Sequence, residues 1–240
     1  MQPLTHDPFL NGNIVLKQPR NGYRFSIDAV VLAHRVRPLC DETILDLGTG
    51  CGVIPLILGF RHAHVRLVGV EIQRDLADLA RQNVADNGLT DRIHIVATDM
   101  RRLTPADVGG PVDVVVANPP YRKLASGRIN PEPQRAVARH ELKVDLPQVL
   151  QSARRMLKPS GRFFVIYPSG RAVDLIAGMR SAGLEPKTLM TVHSRVSSPA
   201  RLVTIMGVKG GRPGLEVDPP LHLYDDNGSI AAGVQAMLAS

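Results

Sequence analysis

The sequence predicts an α/β fold, doubly wound around a mostly parallel seven-stranded sheet with an antiparallel last strand. Three observations predict it. Short apolar runs alternate with stretches of helical periodicity from Thr43 onward, the pattern of a sheet covered by helices on both faces. A glycine-rich stretch, Asp46-Leu47-Gly48-Thr49-Gly50-Cys51-Gly52, follows the apolar run Thr43-Ile44-Leu45. A second turn, Asn118-Pro119-Pro120-Tyr121, follows Val112 to Ala117, which reads as a buried parallel strand. Turns at the carboxyl ends of parallel strands are where open α/β sheets bind ligands.

The elements follow in order. The first ~20 residues are rich in Asn, Gly and Pro and read as loop around one short strand, Ile14 to Lys17. Ser26 is placed to cap a helix from Ile27 that must end before Pro38. Strand one ends at Leu47 and a helix runs from Val53 to Phe60. Val65 to Val70 is strand two. A helix from Asp75 carries Leu76, Leu79, Ala80 and Val84 on one face, and Asn87-Gly88 stops it. Ile93 to Ala97 and Val112 to Ala117 are strands three and four. Leu146 to Leu157 is a helix ended by Lys158-Pro159-Ser160-Gly161, and Phe163 to Tyr167 is strand five. A helix from Ala172 to Ala182 ends at Gly183. The last strands, Thr188 to Val192 and Leu202 to Val208, are joined by a link too short for a helical crossover, so they pair antiparallel. Residues 1–38 are expected to form an N-terminal extension, 39–210 the core and 211–240 a C-terminal tail, effectively one domain.

Composition narrows the function classes. A chain of 240 residues with 44% hydrophobic residues can fill a core, which excludes wholesale disorder. A formal charge of +7 favours a polyanionic partner. Two cysteines, Cys40 and Cys51, form no disulfide framework and no metal-ligand spacing, so no metal is expected. The N-terminus lacks a signal pattern and no apolar run approaches membrane-spanning length. A cytoplasmic protein is expected, acting as a monomer or weak homodimer with no obligatory protein partner.

The first turn reads as a cofactor cradle. Gly48, Gly50 and Gly52 allow a tight turn and close approach of a ligand, with Thr49 between them. The spacing differs from the dinucleotide fingerprint, and Asp46 would repel a pyrophosphate. Asp46 suits a cation instead, such as the α-ammonium of a methionine moiety. Glu71 ends strand two, where a carboxylate can accept both ribose hydroxyls. Asp99 ends strand three and could accept from an adenine amino group, with Ile72 and Met100 packing the ring. Acids at three successive strand ends point to S-adenosyl-L-methionine.

The second turn reads as a grip for a planar NH₂. Such a nitrogen is a poor nucleophile, because its lone pair is delocalised. The Asn118 side-chain oxygen and the Pro119 carbonyl can hold its two N–H bonds and favour a pyramidal nitrogen. Pro119 and Pro120 fix the backbone and preorganise those acceptors. Tyr121 can stack on the flat group. The basic stretch that follows holds Arg122, Lys123, Arg128, Arg135 and Arg139, placed to contact phosphates near an extruded base, and Arg20 and Arg24 extend it. Arg154, Arg155 and Lys158 read as a solvated helix face.

With these residues in view, the chain resembles the class I S-adenosylmethionine-dependent methyltransferases that act on amino groups. More narrowly it resembles the bacterial valine-tRNA adenine-37 N6-methyltransferase family. The resemblance rests on Gln18 to Val30, Ile44 to Pro55 and Asn118 to Tyr121, with Ala138 to Glu141, Arg201 to Val203 and Pro219 to Leu221, and so spans almost the whole chain. The Gly22-Tyr23-Arg24-Phe25-Ser26-Ile27-Asp28-Ala29 segment is the narrower marker. The resemblance implies a Rossmann-like fold, Phe25 and Asp28 near the sulfonium end, and a tRNA anticodon region as substrate. Two readings compete. A glutamine amide presents the same NH₂, so a protein-glutamine N5-methyltransferase shares the grip; such enzymes usually carry a larger helical segment before the glycine turn. A non-catalytic RNA-binding module could retain the fold, though both intact motifs argue against it.

Overall fold

A computed structural model describes residues 3–20, 26–119 and 145–239. Seven long strands form the body of one sheet. They are β3 (Thr43–Leu47), β4 (Arg66–Glu71), β5 (Ile93–Ala97), β6 (Val112–Ala117), β7 (Leu157–Pro168), β8 (Leu184–His193) and β9 (Ala200–Lys209). Their spatial order is β8-β9-β7-β6-β3-β4-β5. Chain order reverses between β3 and β6, the switch point at which such sheets bind ligands. Only β9 runs antiparallel in this body, paired to both β7 and β8.

The expected seven strands become nine among the described residues, because two two-residue strands, β10 (Glu216–Val217) and β11 (Leu221–His222), add to the outer edge of β8. Two residues are too few to show a period in sequence. The chain after them continues into helix α6 (Ala232–Ala239), whose Val234 is buried and whose Met237 and Leu238 pack against the core. An ion pair from Asp218 to Arg35 also ties this tail to the body.

Helices cover both faces. On one lie α1 (Ile27–Arg35), α2 (Val53–Arg61) and α3 (Arg74–Asp86), packing on Ile44, Leu67, Val114 and Phe164. On the other lie α4 (Leu146–Met156) and α5 (Ala172–Ser181), packing on Leu45, Val115, Phe163 and Ile205. Alternate residues of each strand feed the two cores, so β6 reads as an unbroken apolar run. Ser26 stands at the N-cap of α1 in extended backbone, but its side chain does not cap the helix.

Three expectations are corrected. The N-terminal segment holds two strands, β1 (Leu4–Phe9) paired antiparallel to β2 (Ile14–Pro19). β1 is polar, carries Pro8 and alternates only between exposed and half-buried positions, so its pattern is that of an edge strand rather than a core one. Lys158 to Gly161 do not separate helix from strand: β7 begins at Leu157, and a register shift against β6 absorbs them. Ser160 takes φ 60° there, and a Cβ on Gly161 would lie 2.9 Å from the Lys158 carbonyl. Finally, Arg154, Arg155 and Lys158 are not merely solvated. Arg154 donates to the Ala182 carbonyl at 3.1 Å, Arg155 to Leu103 and Met100 at 2.7 Å each, and Lys158 pairs with Asp113 at 2.6 Å.

Candidate active site

The glycine turn leaves β3 and folds over the end of β4. The Gly48 and Thr49 amides donate to the Val70 carbonyl at 2.8 and 2.9 Å. Gly48, Gly50 and Gly52 have φ of 80°, 58° and 87°, a region costly for any residue with a Cβ. Gly69 of β4 permits the closure, since a Cβ there would sit 2.9 Å from both Thr49 Oγ1 and Cγ2.

Asp46 lies in register with Gly69 and Val116, at the centre of the sheet, and is only 2% exposed. Neither of its oxygens accepts a hydrogen bond among the described residues. Burial pushes its pKa up to about 7; the Thr49 hydroxyl lowers it and the Glu71 charge raises it. That hydroxyl acts from nearby without hydrogen-bond geometry. A buried carboxylate without a donor is costly unless a cation meets it. Glu71, at the end of β4, accepts from the Gly50 amide at 3.0 Å and the Gln73 amide at 2.9 Å. Oε2 keeps a lone pair for a ligand hydroxyl, while Oε1 also accepts from the Gln73 side-chain amide at 3.5 Å. Glu71 therefore tethers the glycine turn as well as standing at a strand end.

Asp99 follows β5, and Arg101 engages both its oxygens: Oδ2 accepts from Nε at 2.8 Å and Nη2 at 2.5 Å, and Oδ1 accepts from Nε at 3.0 Å. That hydrogen bonding holds the Asp99 carboxyl below the usual range. Met100 reaches toward the turn: a Cβ on Gly48 would lie 3.7 Å from its Cε. The Met100 carbonyl is fixed by Ser152 Oγ at 3.0 Å and Arg155 at 2.7 Å. Ile72, just past β4, is half-buried.

Asn118 is the first residue beyond β6, half-buried, and Pro119 is buried. Leu47 and Ala117 are register partners, so Gly48 and Asn118 leave neighbouring strand ends side by side, about 5 Å apart across the sheet. The glycine turn and Asn118 thus meet at the switch point. Asp28, in the first turn of α1, is half-buried; burial raises its pKa, while Ser26 and the Arg201 charge lower it. Arg20 is exposed at the end of the N-terminal hairpin. Arg24, Phe25, Pro120, Tyr121, Arg122, Lys123, Arg128, Arg135 and Arg139 lie outside the described residues. The described structure brings Asp46, Gly48, Thr49, Gly50, Glu71, Met100 and Asn118 together at one edge. Ile72 and Asp99 stand at the same edge, beyond β4 and β5.

Sequence reasoning missed Asn83, which is fully buried on α3, and the supporting roles of Arg101 and Arg155. Asn83 sits in the apolar stripe of its helix, and a polar residue at such a spacing was the available signal.

Residues 40–203 match the methyltransferase domain family. The fold is shared with a predicted O-methyltransferase from Agrobacterium tumefaciens, with a TM-score of 0.70 at 20% identity over 88% of this chain and 94% of that one. It is shared too with the geranyl diphosphate C-methyltransferase of Streptomyces coelicolor A3(2), solved with S-adenosyl-L-homocysteine, with a TM-score of 0.54 at 17% identity over 75% and 79% of the two chains. Fold and site together define a class I S-adenosylmethionine-dependent methyltransferase. Among curated proteins, the tRNA1(Val) (adenine(37)-N6)-methyltransferase of Phocaeicola vulgatus is 31% identical over 78% of this chain and 77% of its own length. That of Tolumonas auensis is 27% identical over 80% and 78%. The chain belongs to this tRNA1(Val) (adenine(37)-N6)-methyltransferase family.

Proposed function

We infer that the protein methylates N6 of an adenine in tRNA, and that the adenine is position 37 of valine tRNA, beside the anticodon. The observation that carries the reading is the adjacency of Gly48 and Asn118 at the switch point. It sets an amino-group acceptor next to a cradle whose buried Asp46, without a donor among the described residues, calls for a cation. The residues fit S-adenosylmethionine, which supplies an electrophilic methyl when bound. Asp46 meets its ammonium and Glu71 its ribose hydroxyls. The names of the relatives support the tRNA and the position, and the charge of +7 suits a polyanion.

The chain's own part is orientation. The Asn118 amide oxygen and the Pro119 carbonyl accept the two amino N–H bonds, which helps localise the lone pair on the nitrogen. No strong base is needed before the methyl is transferred, because the proton is lost from a nitrogen that has become cationic. Tyr121 stacks on the base and the basic residues from Arg122 to Arg139 hold flanking phosphates. A tRNA substrate puts the enzyme in the cytoplasm, where Cys40 and Cys51, which form no disulfide, stay reduced. Among the described residues no helix is long and apolar enough to cross a membrane. The reaction as described calls on one chain alone.

The test is to incubate the protein with labelled S-adenosylmethionine and separate tRNA, rRNA, DNA and release-factor fractions. Digested tRNA is expected to yield N6-methyladenosine, mapped beside the valine anticodon. Label found in release-factor glutamine, with none in tRNA, would replace this reading with the protein-glutamine one.

A further inference from the structure

The catalytic edge of the sheet is divided by charge. The ends of β3, β4 and β5 carry Asp46, Glu71 and Asp99, the half read above as the cofactor's. From β6 outward the edge continues through β7, β9 and the β8–β9 hairpin, and there the exposed side chains change sign. Arg171 follows β7, Arg201 opens β9, and Arg195 lies in the hairpin between His193 and Ala200. The register fixes their places: Ala117 pairs with Val165, Pro168 with Leu202, and His193 with Ala200. At a strand spacing of about 4.8 Å, Arg201 lies roughly 10 Å and Arg195 roughly 15 Å across the edge from the strand that carries Asn118.

Among the described residues, two of these cations are uncommitted. Arg171 pairs with Asp174 at 3.0 Å and donates to the Tyr167 hydroxyl at 3.1 Å. Arg195 and Arg201 are exposed and enter no ion pair or side-chain hydrogen bond among the described residues. The charge of Arg201 is felt by Asp28, and Arg195 lies against the turn at Gly228, whose acids Asp225 and Asp226 form no ion pair with it among the described residues. Close to these cations in sequence are two apolar side chains that the fold leaves open, Val196 beside Arg195 at 66% and Val173 near Arg171 at 79% exposure. Exposed arginines interleaved with apolar contacts, continuous with a site that takes a base, match a nucleic-acid backbone.

We propose that this outer rim, with Arg195 and Arg201 as its phosphate contacts, is a second docking surface for the tRNA, holding nucleotides that flank the target adenine. The inference rests on the tRNA reading above. Arg201 opens β9 and Arg195 lies in the hairpin that joins it to β8, so the sheet itself sets the angle at which the anticodon arm approaches Asn118.

The test compares R195E/R201E with R66E/R212E, an equal charge change at the opposite edge, in the full chain. Binding of valine tRNA is measured against salt, S-adenosylhomocysteine binding by calorimetry, and methylation at varied tRNA. For R195E/R201E the tRNA dissociation constant should rise tenfold or more near 100 mM salt. The slope of log affinity on log salt should flatten by about two, since each lost phosphate contact removes about 0.9. KM should rise while kcat and S-adenosylhomocysteine affinity hold. R66E/R212E should stay within about threefold. Unchanged tRNA affinity and slope, equal losses in both doubles, or a loss of S-adenosylhomocysteine binding through Arg201 would overturn the rim. If the wild-type chain binds tRNA but forms no N6-methyladenosine, the reaction assignment falls while the rim is still decided by the binding data. If wild-type tRNA binding shows no salt dependence, the rim falls with it.

Discussion

Asn83 and Cys51 are joined by a hydrogen bond of 2.9 Å from the Asn83 amide to the Cys51 carbonyl, inside the cofactor turn. The same amide also donates to the Lys17 carbonyl and its oxygen accepts from the Lys17 amide, both at 2.9 Å. Asn87, one helical turn on, repeats the pattern with Val15 at 2.9 and 3.0 Å. Helix α3 thereby acts as a pairing partner for β2 and sets it in register with the glycine turn. Beyond β2 the chain leads through Arg20 toward α1, which carries Asp28.

Replacing Asn83 should therefore cost more than stability. Asn83→Ala leaves buried Lys17 and Cys51 groups unpaired and should destabilise the fold by about 2–3 kcal/mol, whereas Asn87→Ala, at an exposed site, should cost about 1 kcal/mol. Only the Asn83 variant is expected to weaken S-adenosylhomocysteine binding, because only it touches the cofactor turn. Urea melts with calorimetry on both variants check this. Equal cofactor affinity in the two would reduce Asn83 to a structural clamp.

Asp46 makes cofactor binding depend on pH. Its folded pKa of about 7 lies above the unfolded 3.8, so the folded state binds the extra proton between them. The contribution of Asp46 to stability without cofactor is then full below pH ~4 and falls by up to about 1.4 kcal/mol per pH unit until it levels near pH 7. A bound ammonium favours the carboxylate and lowers that pKa, so S-adenosylhomocysteine affinity should rise from pH 6 to 8 with proton release. Asp46→Asn should bind weakly and with little pH dependence. Calorimetry in buffers of different ionisation enthalpy reads the proton count; none released near pH 6.5 would contradict the assignment.

How far the sequence shows all this varies with the kind of interaction. β5 and β6 run over the residues their apolar patterns mark, and acids at strand ends are legible because strand ends are. β1 was hidden because an exposed edge strand needs no apolar period. Asn83 was hidden because a buried amide looks like an ordinary helix residue until its partners, 32 and 66 residues away, are known. Arg155 read as a solvated last-turn cation, yet it props the Met100 carbonyl from another strand connection. Local patterns report burial and turns; cross-chain hydrogen bonds report themselves only in three dimensions.

Glu71 holds the glycine turn and, in the function proposed above, also accepts the ribose hydroxyls. Glu71→Ala removes the acceptor of the Gly50 amide and the ribose acceptor together. It should weaken S-adenosylmethionine binding by about 1–3 kcal/mol. NADH should not compete, because Asp46 opposes a pyrophosphate at the turn. Calorimetry that finds unchanged affinity in Glu71→Ala, or tight NADH binding in the wild type, would refute the cradle as drawn.

Asn118 should act on turnover rather than on cofactor binding. Its amide oxygen is asked to hold an N–H bond that strengthens as the nitrogen takes on positive charge, so its contribution is largest in the transition state. Asn118→Ala is expected to lower kcat by about 10²-fold or more, the usual loss when one preorganised polar contact is removed, while S-adenosylhomocysteine affinity stays near wild type. Asn118→Asp keeps the acceptor but adds charge near Asp46 and Glu71, and should recover only part of the activity. Tyr121→Ala should weaken binding of the target base by about 1–3 kcal/mol, and Tyr121→Phe should be mild because the stacking face is kept. Single-turnover methylation of valine tRNA, with N6-methyladenosine counted by mass spectrometry, separates binding from chemistry. An Asn118→Ala enzyme that methylates at the wild-type rate would move the amino-group grip to another residue.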